Sequence, residues 1–234
     1  MFLSGSPAVY GTAVYFDNTA SFNPTNNTWD AASTYANVPA GAYGAARDNN
    51  GNILSIVGFR KWTQATDTYS AAISPPGNET TQVRFPWAYD TSRTQWFGLA
   101  WGDGQGFTGW GTNLRAVKMS NSGLTQTAVT FNASAAATQL LADQPAYAGM
   151  VYDTPNDRFL FYAGGTGRES TIYIVTPNAG TTWDISILTL GGGSITPTAV
   201  DSAGILGRFQ YVPALNGIVA LTTTAANLYF MRLS

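Results

Sequence analysis

The 234-residue sequence predicts an all-β protein built from repeated four-stranded sheets, a β-propeller of about five blades. Three observations lead there. Short runs of alternating aromatic or β-branched residues are broken by Gly, Asn or Pro about every 8–12 residues. A strand–turn–strand unit recurs along the chain. Helical periodicity is confined to residues 133–141, since the Ala-rich stretch 31–46 carries Pro39, Gly41 and Gly44 and reads as a loop.

Two copies of the unit match closely. One runs Trp87-Ala88-Tyr89-Asp90-Thr91, a polar turn, then a strand over 96–101. The other runs Met150-Val151-Tyr152-Asp153-Thr154, a polar turn, then a strand over 159–163. Weaker copies lie at 43–59 and 207–223, so the starts fall roughly 45 to 63 residues apart. First strands are expected near 43–47, 85–90, 149–153 and 209–212. Further strands follow the two clear hairpins, at 115–120 and 125–131 and at 171–176 and 183–190, which makes four strands per repeat. Asp90 and Asp153 recur at the same turn position, where Asp bonds its own backbone. At the ends, 2–16 aligns with second and third strands of a blade, and the chain stops after a third strand over 228–233. Either strands from both termini close the ring, or the chain is a fragment or a subunit completed by a neighbour.

Composition removes several chemistries. With no His and no Cys there is no Ser-His-Asp triad, no thiol nucleophile, no His or Cys metal site and no disulfide. The 11 Lys and Arg are scattered apart from Arg60-Lys61, which gives no basic stripe for nucleic acid. No apolar run approaches the roughly 20 residues of a membrane helix, so no membrane insertion is expected. The N-terminal residues lack the basic and long apolar regions of a secretory signal. Charged residues make up only 10% of the chain, so Asn, Thr, Ser and Gln must supply the polar surface, a composition that leans towards extracellular or virion-surface proteins.

Four short segments carry a resemblance. The run from Thr176-Pro177-Asn178 through Gly180 to Trp183 looks like the Asp-box turn of sialidase-like propellers, with Asn178 where that family usually has Asp. Ser120-Asn121-Ser122-Gly123 occupies the equivalent turn one repeat earlier. The segment 23–30 and the ending from Gly207-Arg208-Phe209 to Tyr229-Phe230 resemble kelch propellers. The Asp-box turn is a folding element, so the resemblance implies a propeller fold and a core position for Trp183, and it implies no catalysis.

Blade anatomy sorts the loops onto faces. Connections between second and third strands are the long, varied ones here. They place Arg60, Lys61, Trp62, Asp103, Gln105, Phe107, Trp110, Arg168 and Glu169 on one candidate ligand-binding face. Aromatic rings beside amide and charged groups suit a sugar face or a protein hot spot. One Asp in Asp103-Gly104-Gln105-Gly106 is too few for a calcium loop, and no metal or cofactor is expected. Two-carboxylate glycoside hydrolysis survives the loss of His, but the chain has only two Glu, Glu79 and Glu169, and lacks the three-Arg cluster of sialidases. The expectation is therefore a single-domain, non-catalytic propeller spanning 1–234 that binds a surface glycan or a protein partner. A structural subunit of a larger viral or extracellular assembly and a degenerate glycoside hydrolase are the alternatives.

Overall fold

The structure is a computed structural model. It describes residues 2–4, 8–9, 12–13, 19–23, 28–29, 45–55, 60–66, 68–71, 73, 86–101, 114–145, 148–189, 195–200, 205, 208–223, 225 and 227–233. The chain divides into two compact units, Met1–Val83 and Arg84–Ser234.

In the first unit, β1 (Phe2–Ser4), β2 (Ala8–Val9), β3 (Thr12–Ala13), β4 (Thr19–Asn23) and β5 (Thr28–Trp29) form two small sheets, β1-β4-β5 and β2-β3. The expected blade strands over 2–16 are thus a short hairpin and a strand that pairs with β4 instead. Next come β6 (Ala45–Arg47), β7 (Ile53–Ser55), β8 (Arg60–Thr63) and β9 (Thr68–Tyr69), a four-stranded antiparallel meander. Asp48 organises its first turn. Its buried carboxylate accepts from the Asn50 and Asn52 amides at 2.9 and 2.8 Å, and Gly51 takes the left-handed φ of 81° that the turn requires.

The second unit opens with the meander β10 (Trp87–Asp90), β11 (Gln95–Trp101), β12 (Leu114–Ser120) and β13 (Gln126–Ala128). The chain then crosses to the next blade. β14 (Thr130–Phe131) pairs in parallel with β18 (Thr182–Thr189), and α1 (Ala135–Asp143) packs against it. The expected strand over 125–131 is therefore split at Val129 between two sheets. The crossing covers an outer edge that would otherwise offer unpaired backbone groups. Ser134 caps the helix by accepting from the Ala137 amide at 3.0 Å, and Gln144 ends it in a left-handed conformation. β15 (Gly149–Asp153), β16 (Arg158–Tyr162), β17 (Thr171–Thr176) and β18 complete this blade, and β19 (Phe209–Val212), β20 (Gly217–Ala220) and β21 (Tyr229–Arg232) form the last sheet.

The β15–β18 blade shows why its inner strands, β15 and β16, read as nearly unbroken apolar runs. One face sends Tyr152, Phe159, Phe161, Tyr173 and Trp183 into a core shared with Phe97, Leu99 and Ala116 of the blade before it. The other face sends Val151, Leu160, Tyr162 and Ile172 against Phe209, Ile218 and Ala220 of the sheet after it. A strand buried on both sides needs apolar residues at every position, not at alternate ones. Phe97, Phe159 and Trp183 are fully buried with ring centroids 4.8–6.2 Å apart. Each such side chain contributes roughly 1.5–3 kcal/mol.

The architecture is a β-propeller, mostly strand with one α-helix among the described residues, and it carries four blade sheets. The expectation of about five blades falls to four because the described residues between 2 and 29 form the two small sheets and not a further four-stranded blade.

Candidate functional site

The sequence singled out nine residues for a ligand face. Asp103, Gln105, Phe107 and Trp110 lie outside the described residues. Arg60, Lys61 and Trp62 belong to the first unit, and Arg168 and Glu169 to the second. The structure corrects the placement of the first three. They do not sit in a loop but on strand β8, where Trp62 pairs across to Ile53 and Tyr69 and is buried at 6% exposure. Arg60 and Lys61 are half-buried beside it. Long basic side chains can lay their stems along a sheet, so an Arg-Lys pair does not by itself mark a loop. Burial pulls the Lys61 ammonium below its ordinary range, and the Asp48 carboxylate opposes that shift.

Arg168 and Glu169 do lie in a connection, the one between β16 and β17. Arg168 forms one wall of a cleft of about 270 Å³, with Asp143, Gln144, Pro145, Thr166 and Val200 among the other lining residues. The cleft follows from two chain reversals: α1 ends at Gln144-Pro145, and β16 gives way to the Gly164–Gly167 turn, where Gly164 and Gly167 have φ of 62° and 78°.

Three side chains from three elements meet at its edge. Arg168 Nε donates to Asp143 Oδ1 at 2.5 Å, and the Tyr173 hydroxyl donates to Asp143 Oδ2. The Asp143 side chain is 2% exposed and that of Arg168 is 41% exposed. A buried carboxylate without donors is costly, so these two bonds are what allow Asp143 to sit there. Burial, and then the Asp143 carboxylate, raise the Tyr173 hydroxyl well above its ordinary range, so it stays a proton donor. The hydrogen bond to Asp143 likewise raises Arg168, which stays charged. Arg168 Nη1 donates to Gly167 O at 3.1 Å. Among the described residues, Nη2 and the Thr166 hydroxyl have no partner. Glu169 turns its carboxylate to the Gly167 amide at 2.9 Å and does not line the cleft.

Asp143 and Tyr173 went unnoticed in the sequence, yet a signal was present. An acidic residue in the last turn of a helix opposes the helix dipole, and α1 has no basic residue there to offset it. Such an Asp needs a cation from elsewhere, and Arg168 supplies it.

A second ionic cluster lies in the hairpin turns. Arg93 donates to both oxygens of Asp157 at 2.7 and 2.6 Å, to Asp90 Oδ2 at 3.1 Å and to Pro177 O at 3.3 Å. Tyr152 donates to Asp157 as well. Asp90 bonds the amides of Ser92 and Arg93 in its own turn, as its repeat position implies. Asp153 differs: it accepts from the side chains of Asn156 and Arg158 at 2.9 and 2.8 Å. Arg93 ties adjacent blades together through Asp157 and Pro177 O, whereas Asp153 bonds within its own hairpin.

No group of three or more acidic side chains suited to a metal ion occurs among the described residues, and no helix there is long and apolar enough to cross a membrane. No protein-family model matches the chain, and no curated protein matches it in sequence. Solved structures do resemble it. A protein from Lactobacillus plantarum matches over 99% of this chain at 14% identity and a TM-score of 0.51. The extracellular domain assigned to a one-component system of B. thetaiotaomicron matches over 93% at 9% identity and a TM-score of 0.53. The chain spans 65% of the first protein and 25% of the second. At these identities the likeness is one of fold, and the fold is the β-propeller.

Proposed function

We propose that this chain is a non-catalytic β-propeller that binds a glycan outside the cell, through the cleft between the end of α1 and the β16–β17 connection. The observation that carries the reading is the half-exposed Arg168, fixed in place by a buried carboxylate, with one nitrogen of its guanidinium left unengaged among the described residues. Polar donors at Arg168, Thr166 and Gln144 stand beside apolar surface from Pro145, Ala163 and Val200, a mixture suited to a sugar's hydroxyls and C–H faces. A cleft of about 270 Å³ lies just below the usual range for drug-sized ligands, so one ring of a longer glycan fits it. The non-catalytic part rests on the carboxylates. Asp143 is the one acidic residue lining the cleft among the described residues, and both its oxygens are taken, whereas glycoside hydrolysis uses a pair of free carboxyl groups. The location outside the cell draws support from the low charge and from the extracellular domain among the structural neighbours.

Gly165 provides the test. A Cβ added there would meet nothing within 4 Å, and its backbone lies outside the left-handed region, so Gly165→Leu places a bulky side chain on a residue that lines the cleft without straining the turn. On a glycan array the wild-type protein is expected to bind at least one glycan and Gly165→Leu to lose it with an unchanged melting temperature. No binding to any glycan, or equal binding by the two proteins, would contradict the reading.

A further inference from the structure

The geometry points to a carboxylate-bearing sugar, a uronate, as the residue that enters this cleft, with Arg168 on its carboxylate. The inference rests on the reading of the cleft as a glycan site and adds the chemistry of the ring that fills it. Arg168 is held at two points, Nε by Asp143 at 2.5 Å and Nη1 by Gly167 O at 3.1 Å, so its rotamer is fixed before any ligand arrives. Among the described residues nothing engages Nη2, which belongs to a planar group whose shape matches a carboxylate. The Thr166 hydroxyl is the second unengaged donor on the same wall.

The carboxylates already present do not compete for these donors. Both oxygens of Asp143 are occupied, by Arg168 and by Tyr173, and Glu169 is bound to the Gly167 amide outside the lining. The formal charges of Asp143 and Arg168 cancel, so the preference for an anion comes from directed donors and not from a general positive field. A neutral hexose offers Nη2 only a hydroxyl oxygen. A uronate offers a charged one in the same volume. Hydrogen bonds to charged groups are the stronger kind, by enough to separate the two ligands about tenfold or more.

Titration calorimetry with two trisaccharides, identical except that one ends in glucuronic acid and the other in glucose, tests this directly. The glucuronate form is expected to bind about tenfold tighter or better. Arg168→Lys, which keeps the charge and loses the planar fork, is expected to weaken the glucuronate form more than the glucose form and so to remove most of that preference. If the Lys variant does not fold, the comparison of the two sugars on wild-type protein still decides. Equal affinity for both sugars, with both lost in Gly165→Leu, overturns the carboxylate inference and leaves the cleft standing as a sugar site. Binding of either sugar undiminished by Gly165→Leu overturns the site itself.

Discussion

The two ends of strand β16 each carry an arginine–aspartate pair, and the pairs are finished differently. At the turn end, Arg93 spends its guanidinium on Asp157, Asp90 and Pro177 O, and Tyr152 closes the remaining side of Asp157. At the loop end, Arg168 spends part of its guanidinium on Asp143 and Gly167 and leaves Nη2 over. Each end holds a shielded carboxylate, Asp90 at 0% and Asp143 at 2% side-chain exposure, although Asp157 at the turn end is 46% exposed. The terminal nitrogens separate the two ends: both of Arg93 are engaged, whereas Arg168 Nη2 has no partner among the described residues. The first arrangement ties one blade to the next, and the second stands beside a cleft.

The comparison can be broken at the core the two ends share, and there the largest effect is expected. Trp183 is fully buried against Phe97 and Phe159, and its indole N–H donates to Gly180 O at 3.0 Å. Trp183→Ala should cost about 3–5 kcal/mol in denaturant unfolding. An unchanged midpoint would place the indole at the surface.

A smaller loss is expected at the turn end. Asp90→Ala strips acceptors from the amides of Ser92 and Arg93 and from Gln95, at a cost of about 1–3 kcal/mol by chemical denaturation. Glycan affinity in the folded variant should stay at the wild-type value. Loss of binding with stability intact would reverse the roles assigned to the two ends.

The turn end should also respond to acid. Hydrogen bonding to Arg93 holds the Asp157 carboxyl well below the usual carboxylate range. A group depressed in the folded state contributes stability that is fully present above its unfolded value, about 3.9, and is lost as pH falls towards its folded value. Melting temperature should therefore drop below about pH 4, and the Asp157→Asn variant should show a shallower acid limb than wild type. Identical limbs would show that the pair contributes nothing to pH dependence.

How far the sequence foretold these two ends differs for a physical reason. The hairpins were legible because they are local. The expected first strands at 85–90, 149–153 and 209–212 match Trp87–Asp90, Gly149–Asp153 and Phe209–Val212. Double-sided burial writes the first two as apolar runs, and Asp at the same position leads into each of their turns. The cleft was half legible. Arg168 and Glu169 stood out in a Gly-rich connection, but Asp143 is 25 residues earlier in sequence on a helix, and only tertiary packing brings it to Arg168. The Arg60–Trp62 segment was misplaced because two charged residues after a glycine read as a loop, while the alternation that buries Trp62 spans only four residues of β8.

The smallest effect on stability belongs to the loop end, and it coincides with the most direct test of the account. Gly165→Leu should leave unfolding free energy within about 0.5 kcal/mol of wild type, as for surface changes away from packed groups. The decisive measurement is the affinity of that variant for whichever glycan the wild-type protein binds. The account predicts that binding is lost while the protein stays folded. Wild-type affinity in Gly165→Leu would contradict it and move the ligand away from Arg168.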